Sequence, residues 1–135
     1  MTRFAIGDQV EFVLVEGLTR TQLVQYAGAS GDYNPVHSDE VYATQAAGHP
    51  TIFAPGMLTM SLAARLLTDW LGDGALRSYS FRFRGQVWPG DTLTATATVT
   101  SVEGSAVAVS LTVTNQSGSV VGTGLALAET DSLDL

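Results

Sequence analysis

The chain contains neither cysteine nor lysine. Without cysteine there is no disulfide, no thiolate metal site and no thiol nucleophile. All six basic residues are arginines, set against 13 acidic residues for a formal net charge of −7. That balance argues against a nucleic-acid or anionic-membrane surface, which would need clustered basic residues. Charge of either sign is scarce, at 14% of 135 residues, while apolar residues reach 45%. Such a chain is not disordered, and its length fits one domain with a substantial core. The shortage of polar surface carries a further expectation, that some apolar surface is buried against another subunit. Membrane-length apolar runs are also missing, because Pro55, Gly56 and Arg65 interrupt the best stretch. The opening residues Met1 to Asp8 lack the apolar core of a signal peptide. A soluble cytoplasmic protein is the expectation.

What is present divides by period. Val10, Phe12 and Leu14 alternate in a short strand from Val10 to Val15. Thr19 is placed to cap a helix running to Ala29, and Ser38 or Asp39 to cap another through Tyr42 and Ala46. From Gly56 to Leu71 apolar residues cover most of a helix, with Ser61, Arg65, Thr68 and Asp69 as its polar stripe. A helix of that composition belongs at the centre of a domain. Beyond Gly72 the period becomes two. Tyr79, Phe81 and Phe83 alternate first, then Leu93 to Val99, then Val107 to Val113. Val121, Thr123, Leu125 and Leu127 form the last alternating set. Asn115-Gln116-Ser117-Gly118 marks a hairpin. One strand, a buried helix and four antiparallel strands make an α+β domain, a sheet wrapped around a helix as in the hot-dog architecture. The expected domain covers residues 1–128, followed by a frayed acidic tail at 129–135.

One stretch carries chemistry. In Ser30-Gly31-Asp32-Tyr33-Asn34-Pro35-Val36-His37, Pro35 forbids a regular helix and pushes Asn34 out of the α region. A turn built on Gly31, Asn34 and Pro35 can fold Asp32 and His37 back towards each other. Such a pair can hold a water between an acceptor and a group that titrates near neutrality. Asp32, His37, Asp39 and His49 could be assembled on paper into a metal site, but their spacing sets no ligands on one face, and no metal or cofactor is expected.

The run Tyr26 to His37, with Ala43 beyond it, resembles the MaoC-like, or hydratase-2, signature. Ala54-Pro55-Gly56-Met57-Leu58-Thr59-Met60 and Val87-Trp88-Pro89-Gly90-Asp91 extend the resemblance over nearly the whole chain. Within that family the chain is most similar to catalytic subunits of actinobacterial (3R)-hydroxyacyl-ACP dehydratases. Ala29 stands where the family usually has a larger aliphatic residue, and Pro55 where it commonly has histidine. The resemblance implies reversible hydration of trans-2-enoyl thioesters to (3R)-3-hydroxyacyl thioesters carried on coenzyme A or acyl carrier protein. It implies that Asp32 and His37 are a catalytic dyad, that Asn34 orients them with Ser30 and Gly31 in the same loop, and that the Gly56 N–H receives the enolate oxygen. Gly at a helix start permits that approach.

Tyr33, Met57, Arg82 and Arg84 are candidate substrate contacts, the arginines for the phosphates of the carrier group. Their simpler readings are a loop cover, a core methionine and a solvated strand face. A homodimer, or a heterodimer with a related hot-dog subunit, is expected because an open sheet leaves an edge and an apolar flank. Two alternatives remain at this level. One is a hot-dog acyl thioesterase, although the long helix has no carboxylate before Asp69. The other is a subunit that acts only with a partner.

Overall fold

The computed structural model describes residues 3–130. Strand β1 (Gln9–Val15) is followed by helix α1 (Arg20–Ser30). Thr19 caps α1 as its sequence position predicts. Its Oγ1 accepts from the Gln22 N–H at 3.0 Å, and Gln22 Oε1 accepts from the Thr19 N–H at 2.9 Å. This reciprocal capping box satisfies two donors that a helix start leaves orphaned. Gly31 ends α1 in the left-handed region at φ 74°. The helix expected after Ser38 or Asp39 runs over 40–46, with Tyr42–Ala46 in the wider π-helical form. Asp39 Oδ1 accepts from the Tyr42 N–H at 3.1 Å.

Helix α2 spans Gly56–Leu71, the limits its periodicity predicts. It buries Thr59, Ala63, Leu66, Leu67 and Leu71. Burial is not complete around its circumference, however. Met57, expected as core or as pocket lining, is 54% exposed, because the sheet covers one face of the helix and no other layer among the described residues covers the rest.

Strands β2 (Leu76–Phe83), β3 (Leu93–Glu103), β4 (Ala106–Thr114) and β5 (Val120–Glu129) complete one antiparallel sheet with order β1-β3-β4-β5-β2. Register shifts at Val13/Val15, Leu76/Ser78, Val99/Ser101 and Val113/Thr114 bend it around α2. Leu93, Ala95, Ala97 and Val99 face the core from β3, and Val107, Val109, Leu111 and Val113 face it from β4.

Strand β5 departs from its apolar alternation. Leu125 and Leu127 point outward, 65% and 50% exposed, while Gly122, Gly124, Ala126 and Ala128 face α2. The reason lies in the neighbouring strand. Tyr79, Phe81 and Phe83 of β2 pair with Ala126, Gly124 and Gly122, and their rings occupy the space a larger β5 residue would need. A Cβ on Gly122 would overlap the Phe81 ring. Tyr79 also donates its hydroxyl to the Met60 carbonyl at 3.0 Å, tying β2 to α2, and burial raises its pKa.

The strand continues through Glu129, which the sequence reading assigned to the tail. Beyond it the buried Thr130 donates its N–H to the Ser105 carbonyl at 2.9 Å. The rest of the expected tail lies outside the described residues. No helix among the described residues is long and apolar enough to cross a membrane.

Candidate active site

The loop leaving α1 folds back on itself through its own side chains. Ser30 Oγ accepts from the Asp32 N–H at 3.2 Å, and Asp32 Oδ1 accepts from the Asn34 N–H at 3.3 Å. Asn34 Oδ1 in turn accepts from the Val36 N–H at 3.2 Å, starting the 3₁₀ turn Pro35–His37. These short Asx-type bonds are what the Asp-x-Asn-Pro spacing provides. They turn His37 inward, where it is buried, and leave Asp32 at the surface beside it.

Asp32 Oδ2 lies 3.6 Å from His37 Nε2. That separation is too long for a direct hydrogen bond and short enough for one water to bond both atoms. The other ring nitrogen is committed: His37 Nδ1 is 2.6 Å from the Phe53 carbonyl oxygen. A carbonyl can only accept, so Nδ1 carries the proton and Nε2 of the neutral ring presents its lone pair towards Asp32. Phe53 reinforces this orientation, since its ring meets the imidazole edge-on with centroids 5.1 Å apart. Its N–H donates to the Val36 carbonyl at 3.2 Å. The ring of His49, expected as a loop histidine near the site entrance, also meets Phe53 edge-on, with centroids 4.7 Å apart.

Phe53 escapes sequence reasoning because it acts through a backbone carbonyl and a ring, and neither marks a chemical motif. It also joins two parts of the site, being three residues from Gly56. As the first residue of α2, Gly56 has an N–H without an intrahelical acceptor, at the positive end of the helix dipole. A Cβ there would lie 2.9 Å from the Phe83 ring, so any larger residue would have to displace that ring. Pro55 is buried at the N-cap and costs no donor the site needs. A cavity of about 210 Å³ adjoins this helix start, lined by Phe53, Gly56, Thr59, Phe83, Val87 and neighbouring residues.

The remaining candidates are dispersed. Tyr33 is 73% exposed. Arg82 and Arg84 line a groove on the outer face of the sheet with Ser80, Ser110 and Thr123, opposite the face where Phe83 meets α2.

Glu40 holds the loop that presents Phe53. Its Oε2 accepts from Arg20 Nη1 at 2.8 Å, Thr51 Oγ1 at 2.7 Å and the Ile52 N–H at 3.3 Å. The Arg20 bond, seconded by Thr51, lowers the Glu40 pKa from its usual value. A lowered folded-state value means that the stabilisation is complete above the ordinary carboxylate pKa of 4.5 and is lost as pH falls below it. Thermal melts of Glu40→Gln should therefore show a weaker loss of stability on acidification through that range than the parent. Equal acid slopes would contradict this role.

Against known families, residues 3–121 match the model of the MaoC like domain. The chain belongs to the MaoC-like family. This MaoC-like domain is 37% identical over 91 residues to the (R)-specific enoyl-CoA hydratase of Rhodospirillum rubrum, covering 66% of the chain and 62% of that relative. It is 44% identical over 68 residues to 3-hydroxyacyl-thioester dehydratase Y of Mycobacterium tuberculosis, covering 48% of the chain and 23% of that relative. The MaoC-like chain thus spans less than two thirds of the length of either. The (R)-hydratase of A. caviae superposes with a TM-score of 0.86 at 25% identity, covering 97% of this chain and all of that one. The fold is accordingly the hot-dog fold. Its structural neighbours include two-chain complexes from Mycobacterium tuberculosis at under 25% identity, a likeness of fold alone.

Proposed function

We propose that this chain catalyses reversible hydration of trans-2-enoyl thioesters to (3R)-3-hydroxyacyl thioesters. One observation carries the reading: Asp32 Oδ2 and His37 Nε2 face one another across 3.6 Å, with the imidazole fixed by Phe53. A water about 2.8 Å from each would donate one proton to each acceptor and keep a lone pair for Cβ of the enoyl group. As the new C–O bond forms, His37 Nε2 takes the water proton. The electron pair of the C=C bond moves onto the thioester carbonyl, and the Gly56 N–H stabilises the resulting enolate oxygen. The imidazolium then returns its proton to Cα, completing addition of H₂O, while the Asp32 carboxylate stabilises the charged ring. Dehydration is the same sequence reversed.

The thioesterase alternative lacks support at the helix. The carboxylate of α2, Asp69, sits in its last turn and pairs with Arg65 at 3.8 Å. The test is a steady-state assay with crotonyl-CoA and longer trans-2-enoyl-CoAs, following enoyl absorbance and free thiol together. Loss of absorbance without thiol release is expected. Thiol release with the enoyl absorbance intact would overturn the assignment.

The active form is proposed to be a pair of hot-dog subunits. β2 lies at one edge of the sheet, and Phe83 and Met57 beside Gly56 are 51% and 54% exposed. Apolar surface of that kind next to an unpaired edge favours a second subunit. Light scattering at assay concentration should give twice the 14.2 kDa of one chain. A monomeric mass combined with full activity would exclude it.

A further inference from the structure

Thr59 is a polar side chain that the fold buries without a structural use. It lies one turn beyond Gly56 in α2 and is only 3% exposed. A buried hydroxyl in a helix normally bonds back to a carbonyl three or four residues earlier. The other hydroxyls of α2 do so: Ser61 Oγ donates to the Met57 carbonyl at 2.7 Å and Thr68 Oγ1 to the Arg65 carbonyl at 3.2 Å. Four residues before Thr59 stands Pro55, whose carbonyl already accepts the Leu58 N–H at 3.0 Å. The Thr59 side chain makes no hydrogen bond among the described residues. Yet none of their fully buried side-chain polar atoms lacks a partner, so its hydroxyl opens onto the cavity it lines with Gly56, Phe53 and Phe83.

We propose that Thr59 Oγ1 is a second donor to the substrate's thioester carbonyl, acting with the Gly56 N–H; this rests on the hydration reading. Residues three apart share a helix face, with a rise of about 4.5 Å between them. An oxygen seated between them in the cavity can therefore bond both. The remaining lining is apolar apart from Gln86, so a developing negative charge there would be poorly screened and would gain from a second donor. Valine at position 59 keeps the shape and removes only the donor.

The experiment pairs kinetics with the infrared carbonyl stretch of bound butyryl-CoA labelled with ¹³C at its carbonyl, a saturated thioester that cannot be hydrated. In the parent the stretch should move to lower frequency on binding, and in Thr59→Val it should move back towards its value in solution. Turnover of crotonyl-CoA in that variant should fall by at least about tenfold with KM changed little, and Thr59→Ser should restore both readouts. Should Thr59→Val fail to fold, Thr59→Ala carries the same comparison. An unchanged carbonyl frequency with turnover within about twofold of the parent would overturn the proposal. If the parent binds butyryl-CoA but hydrates no enoyl-CoA, the hydration reading fails while the spectra still decide the role of Thr59. If the parent binds no thioester, both fall.

Discussion

Asp32→Asn and His37→Ala should each lower kcat for enoyl-thioester hydration by at least about 10²-fold, the scale of a positioned general acid–base group. Asp32→Asn is the cleaner of the two. Asparagine keeps an oxygen for the Asn34 N–H, so the loop retains its turn. Its amide would, however, present a donor where the water, and the imidazolium that forms on His37 during the reaction, need an acceptor. His37→Ala removes the base itself and leaves the Phe53 carbonyl without its 2.6 Å partner. An orphaned buried acceptor costs about 1–3 kcal/mol of stability, so thermal melts must accompany the kinetics. Because the two groups act on one water, the double variant should be little worse than either single one. Near-normal turnover in either single variant, with the fold intact, would dismiss the dyad.

The second large effect is on stability. Gly122→Ala should destabilise the chain by about 1–3 kcal/mol, the usual cost of overpacking a core. The added methyl would overlap the Phe81 ring, and that ring is hemmed in by Tyr79 and Phe83 at centroid distances of 6.3 and 5.5 Å. Its retreat would disturb the β2 aromatics that pack beside Gly56. Shortening the intruded side chain should relieve the clash, so Gly122→Ala combined with Phe81→Leu should lose less than the sum of the two single variants in chemical denaturation. Strict additivity, or a Gly122→Ala variant as stable as the parent, would mean that the sheet accommodates the methyl elsewhere.

That β2–β5 pairing also shows where sequence reasoning stops. The limits of α2, the Thr19 cap and the hairpin at Asn115–Gly118 follow from local rules, and the structure keeps them. Which face of β5 meets the core does not follow. Alternation favours Leu125 and Leu127, but the inner face is set by three aromatic rings from a strand some forty residues earlier in the chain. Local pattern cannot register volume supplied by a distant strand. In the proposed site, Asp32, His37 and Gly56 are legible because their side chains, or the lack of one, would carry the chemistry. Phe53, Glu40 and Thr59 are not. Phe53 works through a carbonyl, Glu40 as a clamp between segments, and Thr59 is distinguished only by the hydrogen bond it does not make. Arg82 and Arg84 have suggestive chemistry, and they line a groove on the outer face of the sheet.

The central claim is that one water, held between Asp32 and His37, adds to Cβ of an enoyl thioester from one side. The most direct measurement is the configuration of the product when the purified chain hydrates crotonyl-CoA in ¹⁸O-labelled water. The expected result is (3R)-3-hydroxybutyryl-CoA carrying one ¹⁸O at C3, formed at a rate that collapses in Asp32→Asn. A (3S) or racemic product, or labelled hydroxyl at C3 formed equally fast by Asp32→Asn, would contradict it.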